Sequence, residues 1–159
     1  MVLTRDQLIE RLVDHHRHPR HHGALPDADA SAGAGNPGCG DVVTVYLRTM
    51  PGTDRVEVAA FEGTGCTISQ GAASLLLQEV NRTHPTLAEL RARSFDDHLD
   101  AVGRDVVGFR ERCAAVGFDA LRRAATTLEN VRRLVAAGDD LSTARRKCGL
   151  PPDPRTSSA

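Results

Sequence analysis

Cys39, Cys66 and Cys113 stand far apart in a chain of 159 residues, each in a local sequence unlike the others. A fold that uses them together must carry three remote segments to one point. Cys39 lies in Asn36-Pro-Gly-Cys-Gly-Asp41 and Cys66 in Gly63-Thr-Gly-Cys-Thr-Ile-Ser69, where the glycines let the backbone turn and a thiolate project clear of its neighbours. Cys113 is set in Arg110-Glu-Arg-Cys-Ala-Ala115. Asp41, two residues beyond Cys39, shares its face of an extended segment. Cys39, Asp41, Cys66 and Cys113 thus supply three soft donors and one hard one, suited to tetrahedral zinc or to an incompletely ligated iron–sulfur unit. The long separations are unlike paired CxxC knuckles, so no zinc finger or ribbon is implied.

The rest of the composition narrows the classes. With 40% hydrophobic residues the chain can bury one core without disulfide staples. A formal net charge of -1 gives no basic excess for nucleic acid or an anionic membrane. The first ten residues lack the apolar run of a signal peptide, and no stretch approaches a membrane span. The expected location is the cytoplasm, where four cysteines serve as metal ligands or reactive thiols more readily than as disulfides.

Thr4 caps an expected helix through Leu8, Ile9, Leu12 and Val13, ended by Pro19 and Gly23. Residues 24–38, rich in Ala, Gly, Asp and Pro, read as a flexible approach to Cys39. Val42–Leu47 and Arg55–Phe61 form an expected hairpin around Pro51-Gly-Thr-Asp54. A helix follows Cys66, with Ser69 as a plausible cap, which puts Cys66 at a helix N-terminus where the dipole favours a thiolate. Short helices are expected over 86–93 and, capped by Ser94, over 95–102. Cys113 opens a long helix closed by Gly138. The domain is expected to span 1–138, with 139–159 a flexible C-terminal tail.

Taken in order, these motifs resemble the IscU/SufU/NifU-N family of iron–sulfur cluster assembly proteins. The resemblance runs from about Leu8 to Leu134. It is carried by Asp14-His15-His16-Arg17-His18-Pro19-Arg20 with Gly23, by Asn36 to Asp41, by Phe61-Glu-Gly-Thr-Gly-Cys-Thr-Ile-Ser69, and by the segment from Arg110 to Leu121. It implies an α+β fold of the SufE/IscU-like kind, a small three-stranded antiparallel sheet with helices on one side and a metal site at one exposed end. It also implies a PLP-dependent, SufS-like cysteine desulfurase as partner, with downstream iron–sulfur assembly proteins as recipients. The scaffold branch has His before the third cysteine; this chain has Arg112, as in the SufU branch. That likeness implies Zn²⁺ on Cys39, Asp41, Cys66 and Cys113, with Arg110 and Arg112 offsetting the negative charge of the donor set. It further implies a partner histidine that takes one zinc position and frees Cys39, which then accepts persulfide sulfur.

Cys39 is the expected acceptor because Pro37, Gly38 and Gly40 give it the most approachable loop. Cys148, in Arg145-Arg-Lys-Cys-Gly-Leu150, imitates the third-cysteine motif, but Pro151 and Pro152 follow it, so an exposed tail thiol is expected. The tract from His15 to His22 reads as polar surface or partner contact, and Arg145-Arg-Lys147 as a solvated basic run. The leading function is a zinc-dependent sulfur acceptor with no independent turnover. The alternatives are a scaffold for a labile [2Fe–2S] cluster, which the short segment between Cys66 and Cys113 favours, and a non-catalytic structural-zinc module.

Overall fold

A computed structural model describes residues 2–156. It holds a three-stranded antiparallel sheet with helices packed on one face, the α+β architecture expected. Helix α1 (Arg5–Arg17) begins at a full capping box, Thr4 and Gln7 each bonding the other's backbone. Strands β1 (Ala30–Asn36), β2 (Asp41–Thr49) and β3 (Val56–Thr64) follow in sheet order β1-β2-β3. Helix α2 (Thr67–Thr83) and the long α6 (Glu111–Ala136) cover the sheet. Between them run α3 (Leu87–Ala92), α4 (Phe95–Val102) and the single turn α5 (Arg104–Val107); α7 (Leu141–Lys147) follows α6.

Strict alternation in β2 decides which side chains meet the helices: Asp41, Val43, Val45, Leu47 and Thr49 point inward and are buried. The opposite face is polar, with Tyr46 donating to Glu62 at 2.7 Å and Arg48 paired to Glu57 at 3.0 Å. Small residues bring the helices close: a Cβ at Gly71 would meet Leu12 O at 2.7 Å, and one at Gly117 would meet Ala73 Cβ at 2.8 Å. These contacts fix α2 between α1 and α6.

Residues 24–38 differ from their expectation. Instead of an irregular approach, Ala30–Asn36 form β1, paired in unbroken register from Ala30↔Leu47 to Asn36↔Asp41. Its sequence, Ala-Ser-Ala-Gly-Ala-Gly-Asn, has no β-branched residue, so the strand is set by its ladder to β2 and its packing on α6 rather than by propensity.

The chain beyond 138 also departs from the expected flexible tail. Ala144 of α7 is fully buried and Leu150 nearly so. Arg145, expected in solvent, is 3% exposed and donates to Asp29 O at 2.6 Å and to Pro151 O at 2.9 Å. Arg155 bridges Asp29 and Asp153, each at 2.8 Å. Two anchors, one to the Asp29 carbonyl and one to its carboxylate, therefore tie this segment to the residue that precedes β1. Cys148 is not an exposed thiol but half-buried against the core at the end of α7. Its helix packs beside Leu128 and Val131, roughly 20–30 Å along α6 from Cys113 at 1.5 Å per residue. Arg145→Ala strands two carbonyls at about 1–3 kcal/mol. Removal of residues 139–159 adds the loss of Leu150 burial, so a melting temperature lowered by about 5–10 °C is expected in a thermal scan. An unchanged melt would show that the segment contributes no stability.

The histidine tract is partly structural. His15 is buried, and because Ser74 Oγ accepts the Arg20 N–H at 2.8 Å, its own proton goes to His15 Nδ1, also at 2.8 Å. His21 and Gly23 bond the backbone of Phe61, and the His22 ring meets Phe61 edge-on at 5.2 Å. His16 and His18 remain exposed. Among the described residues, no helix is long and apolar enough to cross a membrane.

Candidate metal centre

The β1–β2 turn carries the first two donors. Cys39 N–H bonds Asn36 O at 3.1 Å, closing a turn with Pro37 and Gly38 at its centre, and Gly40 follows at φ +67°. Cys39 is thereby left exposed at the tip, while Asp41, on the last rung of the ladder beside the turn, is 1% exposed.

The other two cysteines sit at helix starts. Cys66 is the N-cap of α2, its sulfur accepting the Ser69 N–H at 3.4 Å; Ser69, expected as the cap, instead lies in the first turn. Cys113 is the third residue of α6 and is 1% exposed. Two helix N-termini therefore point their partial positive charge toward the donors.

Donor atoms of Cys39, Asp41 and Cys113 all lie within 4.8 Å of one another. The Cys113 and Cys39 sulfurs are 3.7 Å apart, against about 3.8 Å for two thiolates bound tetrahedrally to zinc at ~2.3 Å. The Cys66 thiol faces Asp41 and Cys113 but does not join that compact trio. Asp41 Oδ1 accepts from Cys66 N–H at 2.9 Å and from Ser69 O–H at 3.0 Å. Asp41 Oδ2 is buried with no hydrogen-bond partner of normal geometry. A carboxylate oxygen left bare inside a protein is costly unless something positive fills the space beside it. The donor set and the bare oxygen fit a divalent metal.

Electrostatics sharpens this fit. Burial acts to raise the Asp41 pKa, but the bond from Cys66 N–H, the neighbouring Cys113 thiol, the bond from Ser69 and the neighbouring Cys66 thiol outweigh it and hold the group below the usual carboxylate value. Burial pushes the Cys113 thiol up to about 12, with the nearby Asp41 carboxylate and the contact to Cys39 adding to the rise. Burial here overrides the helix dipole. The thiol keeps its proton at neutral pH until a metal displaces it, so metal loading releases a proton and strengthens as pH rises.

Arg110 and Arg112 are both exposed, and among the described residues neither pairs with a carboxylate. Three residues absent from the expected site complete it. Asn36 Nδ2 donates to Cys113 Sγ at 3.6 Å, and Ser69 holds Asp41. At Gly65 (φ +153°) a Cβ would fall 2.3 Å from Asp41 Oδ1. Only the last had a legible signal, since a glycine beside a cysteine invites a close approach.

Comparison with known proteins gives consistent relatives. The sequence profile of the NifU-like N terminal domain matches residues 8–133. Iron-sulfur cluster assembly scaffold protein IscU 1 of Archaeoglobus fulgidus is 30% identical over 115 residues, 72% of each chain. Zinc-dependent sulfurtransferase SufU of Bacillus subtilis is 29% identical over 127 residues, covering 70% of this chain and 84% of its own. The crystal structure of a putative iron-sulfur cluster assembly scaffold protein for the SUF system from Fervidobacterium Islandicum AW-1 superposes with a TM-score of 0.61 at 20% identity. It spans 73% of this chain and 94% of its own, a likeness of fold.

Proposed function

Because the chain belongs to the NifU-like N-terminal domain family, we propose that it is an iron–sulfur cluster assembly protein that accepts sulfur at Cys39 while zinc occupies the centre. The observation that carries this reading is an asymmetry of access: Cys113 and Asp41 are each 1% exposed, whereas Cys39 stands open at the tip of its turn. Two donors are built to stay. One is built to meet a partner.

Zinc, when bound, keeps the cysteines as thiolates at neutral pH. The residues do the rest. The Cys39 sulfur attacks the outer sulfur of a persulfide on a cysteine desulfurase; a new S–S bond forms, the partner's S–S bond breaks, and the electron pair leaves on the partner's thiolate. Cys39 then carries the persulfide, and no net oxidant is needed. Cys66 and Cys113 stay at their helix starts and keep the site assembled. The partner is a SufS-like desulfurase, the recipients are cluster assembly proteins, and the setting is the cytoplasm. Arg110 and Arg112, without an ion pair among the described residues and within three residues of Cys113 in the chain, lend positive charge to the anionic centre.

One observation favours a second reading. Cys66 stands outside the compact trio, so the four donors spread more widely than one small ion requires, and a two-iron unit tolerates that spread. Under it the protein is a scaffold for a labile [2Fe–2S] cluster; its archaeal relative is named an iron-sulfur cluster assembly scaffold protein.

Elemental analysis of protein purified without reconstitution, paired with a desulfurase assay, separates the two. Stoichiometric zinc with faster desulfurase turnover is expected, and Cys39→Ala is expected to abolish persulfide on this chain, read by mass spectrometry, while the partner still docks. Retained persulfide on that variant sinks the role of Cys39. An oxygen-sensitive brown colour moves the assignment to the scaffold. Slow alkylation of every thiol, relieved only by a chelator, and no transfer would leave a structural-zinc module.

A further inference from the structure

We propose that Ser69 is a positioning residue that makes Asp41 a one-oxygen metal donor, by saturating Oδ1 and turning the bare Oδ2 to the centre. The inference rests on the reading of Asp41 as a ligand and goes beyond it to the group that sets its geometry. Ser69 is fully buried, in the first turn of α2. Its Oγ lies 3.0 Å from Asp41 Oδ1 and 3.1 Å from Cys66 O, so its single proton has two acceptors to choose between. Cys66 O already accepts Gln70 N–H at 3.1 Å, and a carboxylate is the stronger acceptor. The proton therefore goes to Asp41.

Gln70 fixes the direction of that bond. Its side-chain Nε2 donates to Ser69 Oγ at 3.2 Å, filling a lone pair and leaving the hydroxyl to donate onward. With Cys66 N–H at 2.9 Å as the second donor, Oδ1 is fully engaged. Oδ2, buried and unpartnered, is the only oxygen Asp41 can offer. Outer partners of this kind orient a ligand without touching the metal. The chain Gln70 to Ser69 to Asp41 is one such device.

A double-mutant cycle tests it, on wild type, Ser69→Ala, Asp41→Ala and the double variant, with Ser69→Thr as the rescue. Zinc affinity is read by competition with a chromophoric chelator, and the ligand field by the visible bands of the cobalt(II)-loaded proteins. Ser69→Ala is expected to weaken zinc by about 10–100-fold and shift the cobalt bands, Ser69→Thr to restore both, and the double variant to bind no worse than Asp41→Ala alone. An equal further loss in the Asp41→Ala background would show that Ser69 acts through the fold, and would overturn the proposal. So would wild-type affinity in Ser69→Ala alongside a weakened Asp41→Ala. Unchanged affinity in Asp41→Ala would instead remove Asp41 from the donor set and take the proposal with it. If Ser69→Ala does not fold, Gln70→Met carries the test, since it leaves the hydroxyl without the group that orients it. Wild-type affinity there overturns the relay.

Discussion

Gly65→Ala is expected to abolish tight zinc binding and to lower the stability of the metal-free protein by about 1–3 kcal/mol. The added Cβ would stand 2.3 Å from Asp41 Oδ1 and 2.6 Å from Ser69 Oγ, closer than any relaxed contact. The backbone at φ +153° disfavours a side chain as well. Asp41 and Ser69 cannot move apart without breaking their bond, so the carboxylate is pushed off its two donors and loses its aim, at a cost of about 100-fold or more in affinity. Gly52→Ala is the control: it has φ +71° but open space around the new carbon. It is expected to pay backbone strain alone and to bind zinc as wild type does. Competition titration and urea unfolding of both variants check the pair; wild-type zinc affinity in Gly65→Ala would show that the close approach of Gly65 to Asp41 has no part in the site.

The second large effect is acid sensitivity, from two histidines held neutral. Burial lowers the pKa of His15 to about 4, with the Arg20 charge adding to the fall. Burial lowers His98 likewise to about 4; its ring stacks on Phe118 at 5.5 Å and its Nε2 donates to Ala114 O at 3.3 Å. In the unfolded chain both return to about 6.5, so between those values the unfolded state binds more protons. Stability from this source is whole above about pH 6.5 and is lost as pH falls toward 4. Each histidine accounts for on the order of 3 kcal/mol, and together they are comparable to the total stability of an ordinary domain. Urea unfolding at pH 7.5 and 4.5, with chelator present so that metal release does not contribute, is expected to show this loss. His15→Gln, which keeps an acceptor for Ser74, is expected to flatten the slope by up to about 1.4 kcal/mol per pH unit. Equal wild-type stability at the two pH values would mean that neither ring is held neutral.

How far the sequence led depends on what kind of signal each element carries. The β2–β3 hairpin and helices α1, α2 and α6 announce themselves through alternation, periodicity and caps, and the donors through their glycine setting. Strand β1 does not, because Ala, Ser and Gly carry no strand preference and its pairing partner is distant information. The segment after 138 was illegible for a related reason: a short helix among polar residues looks solvated until Asp29, far away in sequence, is seen to accept from Arg145 and Arg155. His15 hid inside a tract that reads as surface, since one buried face of a helix is invisible where polar residues crowd. Ser69 illustrates the limit at the site itself. Its type fits a helix start, and only geometry reveals that the hydroxyl serves a carboxylate 28 residues away.

Asp41 closes the last rung of the β1–β2 ladder, paired with Asn36, while Cys39 rides the four-residue crest above that rung. Under the proposed transfer, loading sulfur onto the crest asks nothing of the rungs below. The exchange proposed for Cys39 then falls on a turn outside the ladder, and the sheet, moored at Asp41, need not fray at either of its stages.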